Sequence, residues 1–352
     1  MKLMVGVMTS PSGRRGIADV VDVRRRTGAA LADTWPGCEV HQMRPLPGGA
    51  SSLTYVAELG GAPVDRVVVK MAPPGLEPVR NRDVLRQARV LQALSAVPEV
   101  AVPLVHATDR GAPPDVPPLF VMSYVDGESY EPLLTAHGSC PDPPPAEHVA
   151  ARARAAVQML AALHRQDTAS LGFSDEPAIS LAQEYREWAR ALATCDLSES
   201  EAALERECRV RLARNEPAQL PPAVLHGDWR LGNMQCLGSQ VRAVIDWEIW
   251  SIGDPRADLA WMTMWASPDN PGASSPDAFM IAPGQLLTWY EQAAGHAINE
   301  LAWVQGMVRY KNAATTALLA KNAGKRGESG RHVDRMRALI RGTLEWALTY
   351  LS

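Results

Sequence analysis

The sequence predicts an α+β protein of two lobes, in which a small N-terminal lobe with an antiparallel sheet precedes a larger, mainly helical C-terminal lobe. Three observations lead to this fold class. Short runs rich in β-branched residues, separated by turn signals, lie before residue 127. Long segments with apolar residues at helical spacing follow that point. The 352 residues, 46% of them hydrophobic, are enough for two hydrophobic cores.

Spacing and turn residues justify the N-terminal elements. Residues 1–15 include Ser10-Pro11-Ser12-Gly13 and are expected to form a loose tail. The triplet Val67-Val68-Val69 has the β-branched density of a strand. The predicted elements are a helix over residues 17–34, strands over 39–46, 53–59 and 64–71, a helix over 79–94, and strands over 102–108 and 119–125.

The C-terminal elements are mostly helices. Residues 147–164 carry Ala and Leu at the i, i+3, i+4 spacing that is typical of a buried helix. Further helices are predicted over residues 180–194, 199–215, 255–265, 278–295, 297–322 and 331–350, with a mobile loop over 323–330. The elements divide the chain into a tail and helix (residues 1–37), an N-lobe (38–126) and a C-lobe (127–352).

Composition and charge disfavour several classes of protein. The formal net charge of −4 argues against a nucleic-acid surface, which would be basic. The apolar run at the start is too short for a signal peptide, and no run approaches the ~18 residues needed to cross a bilayer. The five cysteines form no CxxC pair and the eight histidines no HExxH motif, which argues against a transition-metal site. We therefore expect a soluble, cytoplasmic protein without nucleic-acid or membrane partners.

The most informative stretch surrounds three oxygen-bearing side chains. Asp228 and Asn233 are five residues apart, and Asp246 follows the apolar run 241–245. One carboxylate can receive a proton from an attacking hydroxyl, while an amide oxygen and a second carboxylate can hold Mg²⁺. Arg230 could keep Asp228 ionised, contact a phosphate, or pair with a carboxylate at the surface. The alternative for the whole stretch is a polar turn in which Asp and Asn satisfy the backbone.

A longer series of motifs carries a family resemblance over roughly residues 40–310. The series consists of His226-Gly227-Asp228, Asn233, Asp246-Trp247-Glu248, Gly253-Asp254-Pro255 and Asp258-Leu259-Ala260. It resembles the aminoglycoside phosphotransferase (phosphotransferase enzyme) family of kinase-like small-molecule kinases. The resemblance implies a bilobal protein-kinase-like fold, ATP or GTP as phosphate donor, Mg²⁺, catalytic Asp228, and metal ligands Asn233 and Asp246.

The resemblance also implies a nucleotide site in the N-lobe. Lys70, at the end of a strand, is similar to the lysine that kinases place on the α and β phosphates. The alternative for Lys70 is a solvated lysine at the end of a strand. The alternative for the pair Gly48-Gly49 is an ordinary hairpin turn. The predicted nucleotide-binding residues are Gly48, Gly49, Ser51 and Ser52 in the phosphate turn, Lys70 and Gln87, and Met122, Ser123, Tyr124 and Val125 in the hinge.

Gln87 is a departure from the family pattern. Relatives carry Glu where Gln87 aligns, on the helix that follows the Lys70 strand. A neutral amide can still accept a hydrogen bond from Lys70, but it lacks the charge assistance that roughly doubles the strength of such a bond. Asp83, one helical turn earlier, is an alternative partner for Lys70.

Two functions of different classes are consistent with these residues. The first is an ATP- and Mg²⁺-dependent O-phosphotransferase that acts on a small hydroxylated acceptor, and the second is a catalytically weak nucleotide-binding pseudokinase with a regulatory role. An unrelated Mg²⁺ hydrolase would need a different phosphate loop, and GxxxxGK[ST] is absent from the sequence. The basic C-terminal region disfavours a polycationic aminoglycoside. The segment 227–233 looks closest to the branch related to kinase-like domains of certain acyl-CoA dehydrogenases, which suggests an anionic or neutral hydroxylated acceptor.

Overall fold

A five-stranded antiparallel sheet forms the centre of the first of two compact units in this computed structural model. That unit comprises the chain up to Ser129 together with Met234–Trp250, and the second comprises Tyr130–Asn233 and the chain from Ser251 onward. The structure describes residues 19–46, 52–133, 143–273, 281–325, 327 and 330–351. The division into tail, N-lobe and C-lobe stays a prediction, and the units are described separately below.

The sheet of the first unit confirms the predicted antiparallel architecture. Its strands follow the order β1-β2-β3-β5-β4, and every neighbouring pair is antiparallel. The strands are β1 (Glu39–Pro45), β2 (Leu53–Gly60), β3 (Arg66–Met71), β4 (Val105–Asp109) and β5 (Leu119–Ser123). Strand β4 begins three residues later than predicted, because Pro103 has no N–H to donate to a ladder. Lys70, the predicted phosphate-binding lysine, lies opposite Phe120 of β5.

Two helices belong to the same unit. Helix α1 (Val20–Leu31) packs Val23 and Leu31 into the core formed by the sheet. Helix α2 (Val84–Leu94) begins five residues later than predicted, because the Asp83 carboxylate accepts the N–H of Arg86 and caps the helix there. A hairpin of Met234–Leu237 and Gln240–Val244 leads to the segment that contains Asp246.

The second unit is mainly helical. It contains α3 (Ala146–His164), α4 (Leu181–Leu192), α5 (Glu199–Arg214), α6 (Arg256–Trp265), α7 (Pro283–Ala294), α8 (Leu301–Lys325) and α9 (Arg331–Leu348). A small sheet places Ser251–Gly253 between Ala178–Ile179 and Ala223–Leu225. Capping boxes at Ser180 and Ser198 begin α4 and α5 close to the predicted positions.

Helix α8 lies at the centre of the helical packing and contacts α4, α6 and α9. It continues to Lys325, past the residue 323 at which the sequence predicts a loop, because Ala323 remains buried against its neighbours. Part of that predicted loop, residues 326, 328 and 329, lies outside the described residues. Within the described part of the chain, none of the helices combines the length and the apolar character needed to cross a membrane.

Candidate active site

The segment that contains Asp228 follows the buried strand Ala223–Leu225. Gly227 has a φ of 84°, a left-handed conformation that a glycine adopts without steric cost. The backbone N–H groups of His226 and Gly227 donate to the two carboxylate oxygens of Asp258, at 2.7 and 2.8 Å. Asp258 therefore anchors the turn from helix α6, and does so from a buried position.

Asp228 is buried and its carboxylate is surrounded by donors. Arg230 Nε lies 3.1 Å from Oδ1 and 3.3 Å from Oδ2. Trp261 Nε1 donates to Oδ1 and Asn233 Nδ2 donates to Oδ2, both at 2.8 Å. Burial alone raises the pKa of the Asp228 carboxyl, but the Arg230 guanidinium and the further positive and hydrogen-bonding groups around the carboxylate together outweigh burial, and the net pKa lies below its ordinary value. The carboxylate is therefore held ionised at neutral pH.

Arg230 is only 3% exposed, so it is not a surface residue. Its Nη1 lies 3.4 Å from Glu131 Oε2, and the same oxygen accepts the N–H of Gly232 at 3.0 Å. The guanidinium also lies 4.8 Å from the centre of the Trp265 ring. A side chain at Gly232 would collide with Arg230 Nη1, which explains the glycine. Arg230 is thus fixed between two carboxylates.

Glu131 is a site residue that the sequence does not reveal. It lies about a hundred positions before Gly232, outside the motifs, and no local pattern distinguishes it from a surface glutamate. Burial raises the pKa of its carboxyl, and the charge of Arg230 opposes that effect. Only the structure shows that Arg230 is buried between acidic groups, so the sequence alone gives no reason to look for a second carboxylate.

Asn233 has the character of a metal ligand. Its Nδ2 donates to the backbone oxygen and to Oδ2 of Asp228, both at 2.8 Å, which turns the amide oxygen away from Asp228. Oδ1 is buried and has no hydrogen-bond donor among the residues that the structure describes. A buried oxygen acceptor is unfavourable without a partner, and oxygen is the ligand type that Mg²⁺ prefers. The Asn233 side chain therefore fits a divalent cation.

Among the described residues of the first unit, Lys70 has two hydrogen-bond partners. Its Nζ donates to Gln87 Oε1 at 3.1 Å and to Asp246 Oδ1 at 3.2 Å. The neutral amide of Gln87 thus accepts the hydrogen bond that a glutamate would otherwise take. Asp83 caps helix α2 instead of pairing with the lysine. Lys70 and Gln87 are both buried.

Asp246 occupies a sharp turn after the strand Gln240–Val244. Its φ of 72° is uncommon for a residue other than glycine and indicates local backbone strain. Two contacts hold the turn, since Trp247 Nε1 donates to the carbonyl of Val244 and the N–H of Val244 donates to Ala101. Strain of this kind is often found at binding sites, which agrees with the predicted role of Asp246.

The predicted hinge follows the last residues of β5. Ser123 donates its N–H to the carbonyl of Leu104 at 2.8 Å, so that this donor is already occupied. Tyr124 stacks with the guanidinium of Arg66, 4.3 Å from the ring centre. Met122 still pairs with β3, whereas Tyr124 and Val125 lie beyond the end of the ladder at Ser123. Backbone groups after Ser123 are the ones available to a ligand in this segment.

The predicted phosphate turn is described only in part. Gly48, Gly49 and Ser51 lie outside the described residues. Ser52 is buried, and its hydroxyl has no hydrogen-bond partner within the described part of the chain.

The second unit has an apolar cavity beside Arg230. Glu131 and the Arg230 guanidinium line its polar end. The remaining lining residues are apolar or aromatic and include Leu231, Met262, Trp265 and Leu286.

Six of the predicted residues, together with Glu131 and Trp261, form two clusters, one in each unit. The first cluster consists of Lys70, Gln87 and Asp246, and the second of Glu131, Asp228, Arg230, Asn233 and Trp261. Each cluster is assembled from residues that are distant in sequence.

Comparison with known proteins identifies the family. The model of the phosphotransferase enzyme family matches residues 42–296, which include both clusters. Acyl-CoA dehydrogenase family member 11 of Gallus gallus is 30% identical over 234 residues, a match that covers 63% of this chain and 28% of that protein. The chain spans only 19% to 28% of the length of the curated relatives it matches.

Solved structures show the same fold. A crystal structure of a candidate aminoglycoside phosphotransferase from Ralstonia eutropha has a TM-score of 0.73 at 19% identity, over 95% of this chain and 98% of that one. An amicoumacin kinase in complex with AMP-PNP, Ca²⁺ and amicoumacin has a TM-score of 0.62 at 11% identity, over 93% of each chain. These likenesses confirm the predicted kinase-like α+β fold class. Since the family model spans most of the chain and contains both clusters, the protein belongs to the phosphotransferase enzyme family.

Proposed function

We propose that the protein is an ATP- and Mg²⁺-dependent O-phosphotransferase that transfers the γ-phosphate to a hydroxyl group of a small molecule. One observation carries the proposal. A buried aspartate is held ionised by Arg230, and the asparagine beside it presents a buried oxygen that has no donor among the described residues. Family membership and the AMP-PNP and Ca²⁺ bound to the amicoumacin kinase support nucleotide and divalent-metal use.

The proposed role of Asp228 is to orient the acceptor. The acceptor hydroxyl oxygen forms a bond to the γ-phosphorus, the bond from that phosphorus to the bridging oxygen breaks, and ADP leaves. The hydroxyl proton passes to the Asp228 carboxylate. A carboxylate with a lowered pKa is a weak base, which suits a reaction whose transition state is loose and whose proton moves late. Arg230 keeps the carboxylate ionised and Trp261 fixes its direction.

In this proposal Lys70 binds phosphate, and Asn233 and Asp246 bind the metal. A bound Mg²⁺ would neutralise charge on the phosphate oxygens. Lys70 has a carboxylate and an amide as partners, so it can turn from Asp246 toward a phosphate while Gln87 still accepts one of its hydrogens. Ser52 and the backbone beyond Ser123 complete the proposed nucleotide site.

The acceptor is proposed to be an anionic or neutral hydroxylated compound with an apolar part. The cavity beside Arg230 is lined mainly by apolar side chains, which favours a hydrocarbon or aromatic portion over a polycation. The likeness to proteins named as acyl-CoA dehydrogenases is compatible with such an acceptor. The screen described next also tests GTP as the alternative phosphate donor.

A screen for consumption of ATP, and separately of GTP, tests the proposal. Purified protein with Mg²⁺ would be offered panels of hydroxylated metabolites and antibiotics, and phosphorylated products would be identified by mass spectrometry. We expect transfer to at least one class of hydroxylated acceptor, with none in the presence of EDTA. Nucleotide binding without transfer to any acceptor would instead favour the regulatory pseudokinase, for which the neutral Gln87 is the supporting observation.

A further inference from the structure

Helix α2 and the segment after Asp246 are joined by a contact between Arg86 and Trp250 that none of the family motifs contains. Arg86 Nη1 donates to the carbonyl of Trp250 at 2.8 Å. Trp250 Nε1 donates back to the carbonyl of Arg86 at 3.1 Å. The guanidinium also stacks 3.9 Å from the centre of the indole ring. We call this three-part contact the Arg86–Trp250 clasp.

The clasp is rigid because each residue contributes both its side chain and its main chain. Trp250 is only 1% exposed, so its indole cannot exchange this partner for water without leaving the core. The stacked, partly desolvated guanidinium adds a cation–π attraction to the two hydrogen bonds. The backbone of α2 and the backbone at Trp250 are therefore held at a fixed separation.

The position of the clasp links it to Lys70. Arg86 immediately precedes Gln87, and Trp250 lies four residues after Asp246. Gln87 and Asp246 both accept hydrogen bonds from Lys70. The tie between Lys70 and α2 is a hydrogen bond to a neutral amide, which is weaker than an ion pair with glutamate would be. The clasp supplies a second connection between the same helix and the Asp246 segment, and it does not depend on Lys70.

We propose that Arg86 and Trp250 are positioning residues for the nucleotide site and supply the alignment of α2 that the neutral Gln87 supplies weakly. This inference rests on the proposed roles of Lys70 and Asp246 in binding nucleotide and metal. Lys70 can then turn toward a phosphate while α2 and the Asp246 segment stay in register. Loss of the clasp lowers affinity for the nucleotide–metal complex through the positions of Gln87 and Asp246.

The test compares single and double variants of the full chain. Arg86→Ala removes the stack and one hydrogen bond, whereas Trp250→Phe keeps an aromatic ring and removes only the indole donor. Arg110→Ala is the matched control, because Arg110 is an exposed arginine of the same unit. The affinity for AMP-PNP is measured by calorimetry with and without Mg²⁺, and hydrogen exchange is followed in α2 and in residues 244–250 of the ligand-free protein.

For Arg86→Ala we expect an affinity for AMP-PNP with Mg²⁺ about tenfold lower, equivalent to ~1.4 kcal/mol, and a smaller loss for Trp250→Phe. Adding Gln87→Glu to Arg86→Ala should restore part of the affinity. Exchange should rise in both segments of the Arg86→Ala variant and stay unchanged in Arg110→Ala. If the contact were merely structural, its loss would lower the melting temperature, and Gln87→Glu would not restore the affinity for AMP-PNP.

Failure of the proposed function and failure of the positioning role give different results. If the unsubstituted protein bound no nucleotide, the proposed function would be overturned, and the exchange data would still decide whether the clasp couples the two segments. If that protein binds nucleotide but Arg86→Ala binds equally well, or if Gln87→Glu gives no rescue, the positioning role is wrong.

Discussion

The two polar clusters of the molecule are constructed in opposite ways. Around Asp228, two carboxylates share one buried guanidinium, and further donors from Asn233 and Trp261 complete the shell. Around Lys70, one cation faces one carboxylate and one neutral amide. The first arrangement fixes a charge state and a direction, whereas the second leaves a cation with partners that it can exchange. The proposed roles, a base with a fixed direction at Asp228 and a phosphate-binding cation at Lys70, call for these different arrangements.

Burial sharpens the contrast between the clusters. The side chains of Arg230 and Glu131 are 3% and 7% exposed, while that of Asp246 is 27% exposed. Removing one partner from a buried ion pair strands the other charge, at a cost of ~3–5 kcal/mol. The partly exposed Asp246 can be solvated when Lys70 leaves it. Substitutions in the Asp228 cluster should therefore have larger effects than substitutions around Lys70, in the following order.

The largest effect is expected from Asp228→Ala. The variant loses the group that is proposed to orient the hydroxyl and take its proton, so kcat should fall at least ~100-fold, within the range seen for general bases. AMP-PNP affinity, measured by calorimetry, should be retained because the proposed nucleotide-binding residues lie in the other unit. Asp228→Asn is the isosteric companion and should be equally inactive. Full turnover by either variant would show that Asp228 is not the base.

Arg230→Gln should come next. The variant leaves Asp228 buried without its cation, so the pKa of that carboxyl should rise, since burial disfavours the charged form. The acid limb of the pH profile of kcat should therefore move to higher pH, and kcat at neutral pH should fall by up to ~100-fold through misplacement. An acid limb that stayed in place would mean that Arg230 does not set the ionisation of Asp228. Thermal unfolding of the variant separates this effect from loss of the fold.

The sequence is sufficient for the parts of this picture that depend on local pattern. Strand β3 and helix α3 follow from β-branched density and helical spacing, and the spacing of Asp228, Asn233 and Asp246 is the pattern from which the chemistry is predicted. The local sequence does not show which distant residues pair with each other in the folded protein. Glu131 is found only when Arg230 is seen buried beside it, because a pairing over such a separation leaves no trace in spacing.

Ends of elements are the other part that pattern alone misplaces. Helix α2 begins after the Asp83 cap and not at residue 79, because the Asp83 carboxylate accepts the N–H of Arg86. Helix α8 extends past residue 322 because Ala323 is buried, a tertiary effect that the Gly- and Lys-containing sequence there conceals. A local capping contact thus decides where α2 begins, whereas burial against other parts of the chain decides where α8 ends.

Glu131→Gln should have an intermediate effect. The amide oxygen can still accept the N–H of Gly232, but it no longer offers a charge to Arg230. The difference between a charged and a neutral hydrogen bond is ~1 kcal/mol, so kcat should fall roughly fivefold with little change in KM for ATP. Glu131→Ala, which also frees the Gly232 N–H, should lose more. Equal kcat in the two variants would indicate that the contact with Gly232 does not matter.

Gln87→Glu is expected to have the smallest effect and is the most direct test of the contrast between the clusters. It restores charge assistance to Lys70, yet it adds a buried carboxylate that competes with Asp246 for the same ammonium. These effects oppose each other, so KM for ATP should change by less than about threefold and kcat should be equal or higher. Gln87→Leu is the matched control, which removes the acceptor altogether and should weaken ATP binding more. If Gln87→Glu abolished activity, Gln87 would have a role that a carboxylate cannot fill, and the Lys70 cluster would be as intolerant of change as the one around Asp228.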